Sequence, residues 1–130
     1  MRNEARVVLG VVVAAVVMSG CGTSSAPHEP EPATGTLEQL AARAACHPVL
    51  STDSAELRQA NCATGYGRYV LATFATDRGQ REWINEAKDY GGVYLVGRRW
   101  VAVGDPSVVT ALRGRLGGSV ETGDVHSGHN

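Results

Sequence analysis

The sequence lacks most of the patterns by which an activity is read. It has no G-x-S-x-G elbow, and no serine, histidine and aspartate are grouped as nucleophile, base and orienting acid. Among its 16 glycines there is neither G-x-x-x-x-G-K-[ST] nor G-x-G-x-x-G, so no phosphate cradle for a nucleotide is indicated. Lysine is almost missing, with Lys88 alone against the arginines. The net charge of −1 and the scatter of those arginines leave no basic stripe, which argues against nucleic acid as a partner. The three cysteines include no C-x-x-C pair. No apolar run is long enough to cross a bilayer. Val7 to Met18, "VVLGVVVAAVVM", would span about 18 Å as a helix at ~1.5 Å per residue, against a hydrocarbon core of ~30 Å.

What is present begins with that run. Arg2 and Arg6 precede it, diluted by Glu4, and small residues follow, which is the layout of a signal-peptide hydrophobic region. Met18-Ser19-Gly20-Cys21 closes it: one apolar residue, two small ones, then cysteine. Here the chain resembles a bacterial lipoprotein precursor, with methionine where leucine is usual in the lipobox. The resemblance implies that Cys21 receives a diacylglyceryl group and that cleavage falls just before it. An ordinary secretory signal with an incidental cysteine is the competing reading. Each buried CH₂ contributes about 0.8 kcal/mol, so two or three acyl chains anchor firmly. The implied address is the outer face of the cell membrane, with the membrane itself as a partner through the lipid.

With Cys21 acylated, the resemblance leaves Cys46 and Cys62 as an even pair in an oxidising compartment and so implies a disulfide. Closing a loop of that length is worth roughly 3 kcal/mol in the chain-entropy model. A catalytic thiol is the alternative. Arginine in place of lysine, with abundant Ala, Val and Gly, fits a GC-rich bacterial genome. The segment Tyr69 to Val103, "YVLATFATDRGQREWINEAKDYGGVYLVGRRWVAV", is similar to small lipoproteins of Streptomyces-type actinobacteria. That likeness implies an address and a fold, and brings no catalytic residues with it.

Four parts are expected: a signal peptide over 1–20, the lipidated cysteine and a Pro/Ser-rich tether over 21–35, a globular domain over 36–122, and a tail over 123–130. His28, among the tether's acids, reads as a solvated linker residue rather than a ligand. Thr36 with Gln39 forms a capping box, and Leu37, Leu40, Ala41, Ala44 and Ala45 recur at helical spacing, so a helix is predicted to Cys46 and a stop at Pro48. Residues 55–64 fit a short helix or an edge strand. Arg68 to Thr76 is apolar on both faces, as a central strand would be.

Asp77 and Gln80 open a second helix with a stripe of Trp83, Ile84, Ala87 and Tyr90, ended by Gly91-Gly92. "VYLVG" and "WVAVG" read as a hairpin around Arg98-Arg99, with Gly97 to supply a left-handed residue. Asp105-Pro106 starts a last helix bearing Val108, Val109, Leu112 and Leu116, and Ser119 to Thr122 add an edge strand. From Arg68 the order is strand, helix, strand, strand, helix, strand. This predicts an α+β fold: a small ferredoxin-like (split βαβ) sandwich with an extra helix in front, its antiparallel sheet packed by helices.

Candidate chemistry is sparse. Asp124, His126 and His129 are a weak metal-ligand set in a terminal stretch, and a disordered, solvated tail is the preferred reading. His47 could pair with a thiolate, and otherwise caps the carbonyls of the first helix. Glu82, Glu86 and Asp89, near Lys88, read as a solvated helix face. Arg98 and Arg99, flanked by Tyr94 and Trp100, are the best recognition residues, fitting an anionic ligand or phospholipid headgroups; a polar hairpin tip is the plainer reading. Trp83 and Trp100 read as core rather than as a ligand platform. No cofactor is indicated. The reading adopted is a membrane-anchored, non-catalytic binding or interaction domain of the cell envelope, meeting an envelope protein or anionic ligand; the alternative is a metal-dependent accessory factor or enzyme using the terminal histidines.

Overall fold

The computed structural model describes residues 30–123, together with Gly10. The first helix, α1 (Leu37–Arg43), starts as its capping box dictates. Thr36 Oγ1 accepts from the Gln39 N–H at 3.2 Å, and Gln39 Oε1 accepts from the Thr36 N–H at 2.9 Å. It ends three residues before the expected Cys46. Ala45 turns to φ 55°, and its N–H donates to Ala42 O at 3.1 Å while the Cys46 N–H donates to Ala41 O at 2.9 Å. This is a Schellman closure with alanine in the place glycine normally takes, so the helix stops on its own hydrogen bonds before Pro48 can break it.

The strands β1 (Val49–Asp53), β2 (Leu57–Thr64) and β3 (Gly67–Phe74) follow, so of residues 55–64 all but the first two form a strand, and one flanked on both sides. Nothing in the sequence announces β1, because it is exposed at four of its five positions and shows no alternation. It lies on the sheet edge, where a register shift between Leu50 and Thr52 interrupts its pairing with β2. Cys46 and Cys62 are bonded with Cα atoms 5.6 Å apart, which ties the end of α1 to β2.

The second helix, α2 (Asp77–Lys88), is capped by Thr76 rather than Asp77, since Thr76 Oγ1 accepts from the Gly79 N–H at 2.9 Å. Tyr90, expected in its apolar stripe, lies past the helix end and is 89% exposed. The chain continues through β4 (Val93–Val96), β5 (Trp100–Gly104), α3 (Pro106–Leu116) and β6 (Ser119–Thr122). The fold is α+β, with all six strands in one antiparallel sheet of order β1-β2-β3-β5-β4-β6.

The split βαβ pattern is therefore present twice. β3 and β4 are parallel with β5 between them, and β5 and β6 are parallel with β4 between them. A ferredoxin-like order would place the last strand beside β3. Here β2 occupies that edge through unbroken pairing from Leu57↔Phe74 to Thr64↔Gly67, and β6 takes the free edge of β4 instead. The change has a consequence for the layers. Both crossovers now shift the same way across the sheet from strands of opposite direction, and right-handed connections then put their helices on opposite faces. The burial agrees: α1 and α3 pack with Leu71, Leu95, Trp100 and Ala102, whereas Ile84 of α2 packs with Ala72, Phe74, Tyr94 and Val101. Successive residues of β3, β4 and β5 serve the two cores alternately.

Residues 30–35, which the composition assigns to a tether, are bound to the domain. Ala33 is buried, its N–H donates to Leu116 O at 2.6 Å, and its carbonyl accepts from Trp100 Nε1 at 2.7 Å. Pro30 O accepts from the Gly118 N–H at 2.9 Å. Gly117 makes this approach possible, because a Cβ there would lie 2.1 Å from Glu31 O. None of the described helices is long and apolar enough to cross a membrane.

Candidate functional site

A cleft of about 740 Å³ opens at one end of the sheet, where the β4–β5 turn, the starts of α1 and α2, and the β1–β2 connection meet. Its wall includes Arg98 and Arg99, and with them Arg58, Glu56 and Asp77. The turn is built by its own backbone and by Gln80. The Gly97 N–H donates to Trp100 O at 3.0 Å, closing the turn. Arg99, not Gly97, is the left-handed residue, at φ 56°. Gly97 is needed for a different reason: a Cβ there would sit 1.9 Å from Trp100 Cε2, so the indole packs where a side chain would be.

Arg99 is pinned on both sides of its backbone. Its N–H donates to Gln80 Oε1 at 3.2 Å, and its carbonyl accepts from the Phe74 N–H at 2.9 Å. Gln80 Nε2 also donates to Gly97 O at 2.7 Å and to Trp100 O at 3.0 Å. The two arginine side chains are thereby directed outward from a fixed base. Arg99 Nε meets Asp77 Oδ1 at 3.3 Å, a pair with both side chains mostly exposed and hence weak. Arg98 is exposed and has no ion pair among the described residues.

Arg58 is committed elsewhere. Its Nη1 and Nη2 donate to Glu38 at 2.9 and 2.7 Å, and its Nε to Asp53 at 2.9 Å. Hydrogen bonding from Arg58 lowers the Glu38 carboxyl to about 2. What the cleft offers a ligand is thus one uncommitted guanidinium, a second held loosely, the exposed carboxylate of Glu56, which has no ion pair among the described residues, and apolar lining that includes Leu57 and Phe74. It contains no nucleophile paired with a base. That chemistry suits binding of a negatively charged group.

The other candidates are placed as follows. Cys21, Asp124, His126 and His129 lie outside the described residues, and no group of three metal-ligating side chains occurs among the described ones. His47 is exposed and past the end of α1, so it does not cap that helix. Trp100 is completely buried, and Trp83 packs edge-on against Phe74 with centroids 5.8 Å apart. Glu82 pairs with Arg78, while Lys88 turns away from its helical neighbours to Glu121 of β6, which also receives Arg81 at 3.0 and 2.9 Å.

Two residues of structural weight carry only a faint sequence signal. Gln80 falls in register with Ile84 and Ala87, so it lies on the buried stripe of α2 and needs polar partners there. Glu121 sits alone among small residues and gains its partners from a helix 33 and 40 positions away. No family model matches this chain, and no curated protein or solved structure is detectably similar to it.

Proposed function

We propose that the protein is a lipoprotein anchored through Cys21 on the outer face of the cell membrane of a GC-rich bacterium, and that its domain is a non-catalytic binding module of the envelope. The address rests on the lipobox-like Met18-Ser19-Gly20-Cys21 behind a short apolar run. The observation that carries the binding reading is the cleft beneath Arg98 and Arg99, with its fixed turn and uncommitted guanidinium. Bacterial envelopes present phosphate and carboxylate groups, which arginine pairs with well. In this reading the domain is a variant of the ferredoxin-like (split βαβ) sandwich whose last strand pairs with β4 instead of β3.

Intact mass of the mature protein tests the address: an acylated Cys21 at the N-terminus is expected, and an unmodified thiol refutes it. Capture from envelope extracts tests the module. Replacing Arg98 and Arg99 together with alanine should abolish enrichment of the bound species, while truncation after Thr122 should leave it unchanged.

A further inference from the structure

We infer that two copies of this chain pair edge to edge through β1, antiparallel and about a two-fold axis, so that their sheets run on as one. β1 is a free edge of the sheet. Such edges are commonly guarded by lysine, by inward-pointing charge or by proline within the strand. β1 carries none of these: Pro48 precedes it, and its one charged side chain, Asp53, is bonded to Arg58 of the neighbouring strand. Val49 and Leu50 stand next to each other on it, 67% and 44% exposed, and are two of the four large apolar residues exposed among those described. They point to opposite faces of the sheet, and one added strand would shelter both.

A bulge and a charge pattern favour a second copy over an arbitrary strand. Ser51 is the residue left over between Leu50 and Thr52 in the pairing with β2, and its hydroxyl donates to Gln59 O at 3.3 Å. A bulge bends its strand, which spoils pairing with a straight one. A two-fold axis through Ser51, normal to the sheet, brings in a strand with the same bend at the same place. The charged groups from α1 to β3 are sorted by sign along this edge. At the Asp53 end stand Glu38, Asp53 and Glu56, with Arg58 as the one cation. At the Val49 end stand Arg43, His47 and Arg68, with no acid of that segment beside them. The other charged groups belong to elements that pack over or beyond β3, among them Arg98, Arg99 and Asp77 at the first end and Asp105 and Arg115 at the second. Two strand spacings put them about 10 Å or more from β1, roughly one Debye length at 0.1 M salt. Antiparallel pairing sets the acidic end of each copy against the basic end of the other, whereas parallel pairing would set like against like.

An axis normal to the sheet keeps the α1 and α3 layers of both copies on one side of the joined sheet. Ala33, where the chain enters the domain, packs in that layer. Two copies anchored in one leaflet can therefore meet without either turning over. Five residues of edge bury less than the ~1,200–2,000 Å² of a stable interface. The pairing thus depends on confinement of both copies to one membrane, which raises their effective concentration. In that respect it rests on the anchored reading above.

The test uses the full chain in the membranes of cells that make it. The photo-crosslinker benzoylphenylalanine is placed at Ser51 or, on the opposite sheet edge, at Thr122. Illumination should give a band of twice the monomer mass from position 51 and none from position 122. Leu50→Lys, which puts a charge on the edge, and Arg43→Glu should each remove most of that band while thermal unfolding shows that both variants still fold. Arg43→Glu combined with Glu56→Arg should restore it. A Ser51 adduct of any other mass, or no adduct from a protein whose Cys21 is acylated, overturns the pairing and leaves the anchored reading standing. Equal doubled bands from the two edges overturn the two-fold arrangement. A band unmoved by the charge variants overturns the antiparallel match of acidic and basic ends. A doubled band from position 51 with Cys21 unmodified upholds the pairing and overturns the anchor.

Discussion

Gln80 holds Arg99 in its left-handed conformation from beneath the turn, its Oε1 accepting the Arg99 N–H at 3.2 Å. The same amide donates to Gly97 O and Trp100 O, so one side chain on α2 sets the geometry of the β4–β5 connection. It is also the one buried polar residue among those described. Gln80→Leu should leave Gly97 O and the Arg99 N–H without these partners, while Trp100 O keeps the Gly97 N–H. The expected cost is about 2–3 kcal/mol, read from urea unfolding, with faster amide exchange at Arg99.

Two glycines should respond in opposite directions. Gly97→Ala drives a Cβ into the Trp100 indole, fully buried and bonded to Ala33, so neither partner can give way. A loss of about 3 kcal/mol or more is expected in thermal or chemical unfolding. Gly114 lies inside α3, exposed, with nothing within 4 Å of an added Cβ. Gly114→Ala should stabilise the protein by about 1 kcal/mol through helix propensity alone.

Ala45 pays a steric cost to close α1. A left-handed L-residue is disfavoured by about 1–2 kcal/mol, and glycine's extra freedom in the unfolded chain returns part of that. Ala45→Gly should therefore raise stability by about 0.5–1 kcal/mol. Ala42→Gly, at an exposed position within the same helix, should lower it by about 1 kcal/mol. Denaturation midpoints of the two variants measured side by side decide the matter.

Acid should weaken the domain through Glu121 and Glu38. Hydrogen bonding from Arg81, then from Lys88, holds the Glu121 carboxyl at about 2, and Arg58 does the same for Glu38, against an ordinary value of 4.5. Between those values the unfolded chain binds protons that the folded one does not. The stabilisation is complete above pH 4.5 and is lost as pH falls towards 2. Melting temperature should drop across that window, and Glu121→Gln should flatten the drop. At neutral pH the same variant should cost about 1 kcal/mol or less, since the group is partly solvated.

Local chemistry alone determined a good part of this molecule. The Thr36 capping box, the proline at the start of α3 (where Asp105 makes no side-chain capping bond) and the apolar stripes of α2 and α3 are features of one or two turns, so they are legible as spacing. The doubly buried run of β3, the β4–β5 hairpin and the short β6 could likewise be read from patterning, and the Cys46–Cys62 bridge joins the pair left once Cys21 is set aside.

What the tertiary structure decided depends on backbone groups meeting across long separations. Any strand can hydrogen-bond to any free edge, so residue patterns do not say that β2 takes the side of β3 and sends β6 to β4, nor that α2 and α3 then fall on opposite faces. The segment at 30–35 looks too polar and proline-rich to pack. It does so because Gly117 leaves room and because Trp100 and Leu116 satisfy the Ala33 backbone. The exposed Arg98-Arg99 turn could be placed from sequence, but the cleft beside it exists only once Gln80, Thr36 and Phe74 arrive from three distant elements.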